Sequence, residues 1–233
     1  MSQKPIELYY WPTPNGFKVT LMLEACGLPY DVKYINIGKG DQFDPEFLKF
    51  SPNNRMPAII DPEGPGSAPI SVFESGAILQ YLGRKTGKFY PTDERKRVEV
   101  EEWLMWQMGG VGPMAGQCHH FRNYAPETIQ YGIDRYTNEV NRLYGVLEKR
   151  LADREFVAGD YSIADMALFP WVRIMDRQGQ DASEFPNIGA WIKRIEARPE
   201  TETALSVGKD ERAKFDLSKD KDAQAVLFGQ RAR

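Results

Sequence analysis

Every strand-forming stretch of this chain lies before residue 74, and from Asp93 onward the apolar residues recur at helical spacing. A chain divided this way folds as a mixed α/β unit followed by an all-α unit, and 233 residues suffice for two domains of ordinary size. An apolar content of 42% supplies a core and excludes a disordered chain. A net charge of −3 without a basic block argues against nucleic acid or an anionic membrane as partner. No apolar run approaches a membrane span, and Met1-Ser2-Gln3-Lys4-Pro5 lacks the apolar core of a signal peptide. Cys26 and Cys118, the only cysteines, lie far apart and form no secreted disulfide framework, so a cytoplasmic location is expected. No metal site is expected, since the only histidines, His119 and His120, are adjacent.

Within the first part, Ile6–Trp11 reads as a strand, and the turn Pro12-Thr13-Pro14-Asn15-Gly16 hands it to a helix with Val19, Met22, Leu23 and Cys26 on one face. Residues 30–37 read as a second strand and 44–48 as a short capped helix with Pro45 at its first position. Strands 57–61 and 69–73 are joined by a loop short enough only for an antiparallel hairpin, and a helix runs from Glu74 to about Thr86. The order β-α-β-α-β-β-α over residues 1–86 is that of a thioredoxin-like domain with a mixed four-stranded sheet. A linker at 87–92 leads to an all-helical domain, 93–207. There Gly109, Gly110, Gly112 and Pro113 predict a kinked or broken helix. A helix from Pro126 carries the stripe Ile129, Ile133, Tyr136, Val140, Leu143, Leu147 and Leu151. Ser162-Ile163-Ala164-Asp165 is a capping box, and residues 208–233 read as a charged, extended or mobile tail.

Two segments point to a ligand. In Ser51–Ile60 a proline, Pro57, heads a strand and leaves the backbone of Met56 free to pair elsewhere. At Glu74-Ser75 a strand becomes a helix, and a helix start offers unpaired N–H groups that suit a carboxylate. A peptide-like, carboxylate-bearing ligand follows. Thr13 and Asn15, at the start of the first helix, offer donors able to favour a thiolate, although both are also ordinary helix caps. No Cys-x-x-Cys occurs, so any thiol must arrive with the ligand. Cys26 sits on an apolar helix face and reads as core. Cys118, His119 and His120 point to different sides of a helix and cannot converge on one atom. One of Tyr9 and Tyr10 must face inward.

These segments carry a family resemblance. Ser51–Ile60 with Pro57 resembles the cis-proline loop of glutathione transferases, and Phe73-Glu74-Ser75-Gly76-Ala77-Ile78 resembles their γ-glutamyl-binding motif. The Ser162–Asp165 box resembles the one in their helical domain. The turn Pro12–Gly16, Gly38–Phe43 and residues 109–121 look like the bacterial nu class, which is related to the globular domain of a fungal nitrogen-regulation prion protein.

The resemblance implies a homodimer that binds glutathione, as one or two molecules per site or as glutathione disulfide, and reduces small-molecule or peptide disulfides. It implies that Thr13 and Asn15 face the glutathione sulfur and that Gln42 meets the glycyl end. Met56, ahead of Pro57, would pair its backbone with the cysteinyl amide, Glu74 and Ser75 would bind the γ-glutamyl amine and carboxylate, and Arg135 would reach a second glutathione. Tyr10 is not assigned the catalytic hydroxyl of tyrosine-type transferases. The competing readings are a conjugating transferase or glutathione peroxidase, and a glutathione-binding regulator with little turnover.

Overall fold

The computed structural model describes residues 4–214 and 216–231. They form two compact units: the described residues of Met1–Leu82 and Thr203–Arg233 make one, and Gly83–Glu202 the other.

The first unit is built on four strands, β1 (Ile6–Tyr10), β2 (Tyr30–Tyr34), β3 (Ala58–Asp61) and β4 (Ile70–Phe73), in the order β2-β1-β3-β4. β1 and β2 run parallel, and β3 is antiparallel to both β1 and β4. The sheet is mixed, as the element order requires. Alternation along β1 sends Ile6, Leu8 and Tyr10 into the core, so Tyr10 is the inward tyrosine of the pair.

Helix α1 (Pro14–Cys26) starts at Thr13, whose Oγ1 accepts the Gly16 N–H at 3.2 Å, and stops at Gly27 in the left-handed region, φ 69°. Gly16 permits the tight handover from β1, since a Cβ there would lie 2.3 Å from the Trp11 carbonyl oxygen. Helix α2 (Pro45–Leu48) is capped by Asp44, and α3 (Ser75–Thr86) follows β4. The β2 strand stops at Tyr34, three residues short of the expected end; Ile35 beyond it is buried and still donates its N–H to the Tyr10 carbonyl at 2.9 Å.

In the second unit α4 (Glu94–Trp106) does not break at the glycines. A π-helical turn, Gln107–Val111, carries the chain into α5 (Gly112–His119), with the Gly112 N–H bonded to the Gln107 carbonyl. Pro113 has no N–H to give the ladder, and the widened turn accommodates it without a break. A second π turn, His120–Tyr124, ends this segment. Helix α6 (Gln130–Arg150) opens four residues after the expected Pro126 and buries Val140, Leu143, Tyr144 and Leu147. Helix α7 (Ile163–Val172) is buried all round and carries the capping box. Helix α8 (Pro186–Glu196) packs through Ile188, Trp191 and Ile195.

Helix α9 (Pro199–Ser206) leads back to the first unit, where the Thr20 hydroxyl donates to the Ala204 carbonyl at 3.0 Å and the Tyr10 hydroxyl to Val207 at 3.1 Å. The expected extended tail is instead largely helical: α10 (Lys209–Ala213) and α11 (Lys221–Phe228). Asp220 caps α11 and Ala223 is buried, which supplies the order that charge-rich composition concealed. No described helix is long and apolar enough to cross a membrane.

Candidate functional site

Three cross-contacts gather the predicted residues of the first unit. The turn before α1 meets the loop before β3 where the Thr13 hydroxyl approaches Met56 Sδ at 3.5 Å. That loop meets the β4–α3 corner where Asn53 Nδ2 donates to Glu74 Oε1 at 3.4 Å. The corner meets α1 where Lys18 Nζ donates to Ser75 Oγ at 3.4 Å. Thr13, Met56, Glu74 and Ser75, up to 62 residues apart in sequence, are thereby linked through neighbouring contacts.

Local chemistry sets each position. Thr13 is extended (φ −119°, ψ 164°), caps α1 and is half-buried, as is Asn15 in the first turn. The Met56–Pro57 bond is cis. Met56 belongs to an apolar cluster with Trp11, Ile35, Phe47 and Ala58 that fixes the loop against the sheet end. Glu74 is exposed and takes a left-handed φ of 68°, uncommon for a residue with a Cβ. Its carbonyl accepts the Ile78 N–H at 2.9 Å and so opens the α3 ladder, while Ser75 is 5% exposed.

Gln42 is turned inward in the helical turn Asp41–Phe43. Its Nε2 donates to the Ile37 carbonyl at 3.1 Å, and its Oε1 is buried with no hydrogen-bond partner among the described residues. Arg135 lies in the second unit, exposed on α6, with Nη1 4.0 Å from Glu139 Oε2.

The protein's own ionisable groups are poorly placed for thiol chemistry. Cys26 stands at the far end of α1 from Thr13, about 20 Å away at 1.5 Å rise per residue. The Cys118 thiol is buried, donates to the Gln178 carbonyl at 3.4 Å, and has its pKa pushed up by that burial. Burial pushes His119 down to about 4, with the Arg177 charge adding to the effect, so the imidazole is neutral. The Tyr10 hydroxyl is spent on Val207 and burial raises its pKa; Tyr9 is raised to about 12 by burial and by its bond to Glu7. Among the described residues no group of three His, Cys, Asp or Glu is gathered to hold a metal.

Lys18 and Asn53 were missed by the sequence reading. Lys18 is 1% exposed, and burial brings its pKa down to about 7 against the pull of Glu74. The sequence signal that could have found it is a lysine beside Val19, inside the helix that also carries the candidate turn.

Residues 4–84 match the N-terminal domain of glutathione S-transferases, and residues 127–199 match their C-terminal domain. The disulfide-bond oxidoreductase YfcG of Escherichia coli strain K12 is 51% identical over 202 residues, covering 86% of this chain and 94% of that protein. A glutathione transferase from Pseudomonas putida, solved with one glutathione disulfide bound per subunit, superposes with a TM-score of 0.83 at 42% identity, covering 87% of this chain and 91% of that one. One from Burkholderia graminis, with two glutathione molecules bound per subunit, gives 0.84 at 45% identity, covering 88% and 89%.

Proposed function

The chain belongs to the glutathione S-transferase family, and on that premise we propose that it reduces disulfide bonds with glutathione, holding the reactive sulfur at the start of α1. The observation that carries this reading is the composition of that corner: a capped helix start with Thr13 and Asn15 and no protein thiol, the nearest cysteine in sequence standing at the other end of the helix. The relative named a disulfide-bond oxidoreductase and the neighbours that hold glutathione or its disulfide support it. The nu class, a cytoplasmic setting, a homodimer and a domain layout of 1–86, 93–207 and 208–233 belong to the same reading.

The residues present suit the tripeptide. The start of α3 presents the positive end of a helix dipole to the γ-glutamyl carboxylate, with the Ser75 hydroxyl beside it. The Glu74 carboxylate, held out by its left-handed backbone, suits the ammonium of the same residue. Met56 offers backbone to the cysteinyl amide. Gln42 meets the glycyl end by rotating outward; a buried acceptor without a partner costs about 1–3 kcal/mol, which favours that rotation. Arg135 is assigned to a second glutathione.

Glutathione supplies the sulfur chemistry: its thiolate displaces one thiolate from the substrate disulfide, a second glutathione resolves the mixed disulfide, and two glutathiones become one glutathione disulfide while the substrate becomes two thiols. The chain's part is to bind, orient and ionise. Donors at the α1 start favour the thiolate over the thiol, and the fixed γ-glutamyl end aims it. Coupled assays of a small disulfide with glutathione test this. Asn15→Ala should lower turnover about tenfold or more, and the Cys26→Ser, Cys118→Ser double variant should keep it. A dead double variant would mean that the protein supplies the thiol.

A further inference from the structure

Lys18 combines deep burial with a place at the site. It is 1% exposed on α1, and its Nζ donates to Ser75 Oγ at 3.4 Å, at the head of α3. A lysine is rarely this far from water, because its ammonium gives up hydration unless another group answers the charge. The charged side chain acting on it is Glu74, one residue before Ser75, and Glu74 is itself exposed and contacted by Asn53. The ammonium therefore lies beneath the corner at which the preceding reading places a carboxylate and an ammonium of the ligand.

We propose that Lys18 is a positioning residue for glutathione: through its contact with Ser75 Oγ its ammonium sits beneath the head of α3, and its charge answers the γ-glutamyl carboxylate from below. The inference rests on the glutathione reading and adds to it a residue that never touches the reacting sulfur. The Ser75 oxygen accepts from the ammonium and so ties it to the head of α3. In the low dielectric of a buried site the ammonium is felt more strongly than a surface charge at equal distance. Burial holds the lysine's pKa down to about 7, so an arriving carboxylate favours its protonated form.

A purely structural lysine tying α1 to α3 would behave differently, and the difference is measurable. Calorimetric titration of the full chain with glutathione, and with the analogue that lacks the γ-glutamyl α-carboxylate, should be run on the wild type and Lys18→Met. The variant is expected to bind glutathione at least about tenfold more weakly, the strength of a charge-assisted hydrogen bond, yet to bind the decarboxylated analogue as the wild type does. Its unliganded melting temperature should be unchanged or higher, since a buried charge has been replaced by a fitting apolar chain. In turnover the loss should fall on the KM for glutathione. Should Lys18→Met not fold, Lys18→Gln, which keeps a donor without the charge, carries the same comparison. Equal glutathione affinity in variant and wild type, or an equal loss with both ligands, would overturn the role of Lys18. Failure of the wild type to take up glutathione in either oxidation state would instead overturn the glutathione reading itself.

Discussion

Each unit buries an ionisable side chain completely or nearly so, and the two are handled in different ways. Asp165, in the second unit, is fully buried. Its carboxylate accepts the N–H groups of Val157 and Ser162 at 3.0 Å, the Ser162 hydroxyl at 3.2 Å and Trp191 Nε1 at 2.9 Å. Those donors come from the loop before α7, the α7 cap and α8, so the charge joins three segments of one core. Even so, burial raises the carboxyl to about 6. Lys18, in the first unit, is as deeply buried but faces the corner of the proposed site through Ser75. A buried charge surrounded by donors holds a fold together. One set behind a surface corner holds potential in reserve for a ligand.

The contrast can be broken most directly at Asp165. Asp165→Ala removes an acceptor that four donors share, and should cost about 3–5 kcal/mol of unfolding free energy in urea titrations. A loss below about 1 kcal/mol would show that the carboxylate is not a fold-holding charge. The pH dependence of stability sharpens the contrast, because the two shifts have opposite linkage. Asp165 is raised, so the native state binds more protons than the unfolded chain between the ordinary carboxyl range and about 6. Its contribution is present at acid pH and fades as pH climbs through 6. Lys18 is lowered, so the unfolded chain binds more protons between about 7 and 10.5. Its contribution is present above that window and is lost as pH falls through 7. The stability advantage expected for Lys18→Met at neutral pH should therefore shrink toward pH 10, and thermal melts of the two proteins across that range check it. The smallest effect is expected at Tyr10. Tyr10→Phe gives up the bond to Val207, about 1 kcal/mol, and should leave disulfide turnover unchanged, since that hydroxyl is turned away to a carbonyl.

Much of this arrangement could be read from residues alone, where local chemistry decides the structure. Thr13 caps α1, Ser162 and Asp165 form their box, and the short loop between β3 and β4 makes a hairpin because nothing else could. Reading failed where structure depends on distant cover. The first helix showed an apolar face in Val19, Met22, Leu23 and Cys26, yet Gly16–Leu23 are all buried, because residues beyond 203 return to cover the helix as well. Nothing near Thr20 announces that return, and Lys18, one turn from Met22 at the edge of that stripe, is a residue type seldom buried. The glycine-rich stretch at 109–113 misled for another reason: breakers were counted against an α ladder, whereas a π turn uses a longer hydrogen bond that tolerates Pro113. At the candidate site the residue types were legible, but the inward turn of Gln42 was not, since no sequence pattern reports which way a glutamine amide points.

The return of residues 203–231 to the first unit bears on how the molecule comes into being. The Thr20–Ala204 and Tyr10–Val207 bonds join groups separated by 184 and 197 positions. On the ribosome, the first eighty residues emerge long before the segment that seals them, and must wait, half-finished, while the intervening helices are made. Emergence of the segment that follows residue 203, rather than emergence of the sheet, is then the moment at which this unit closes.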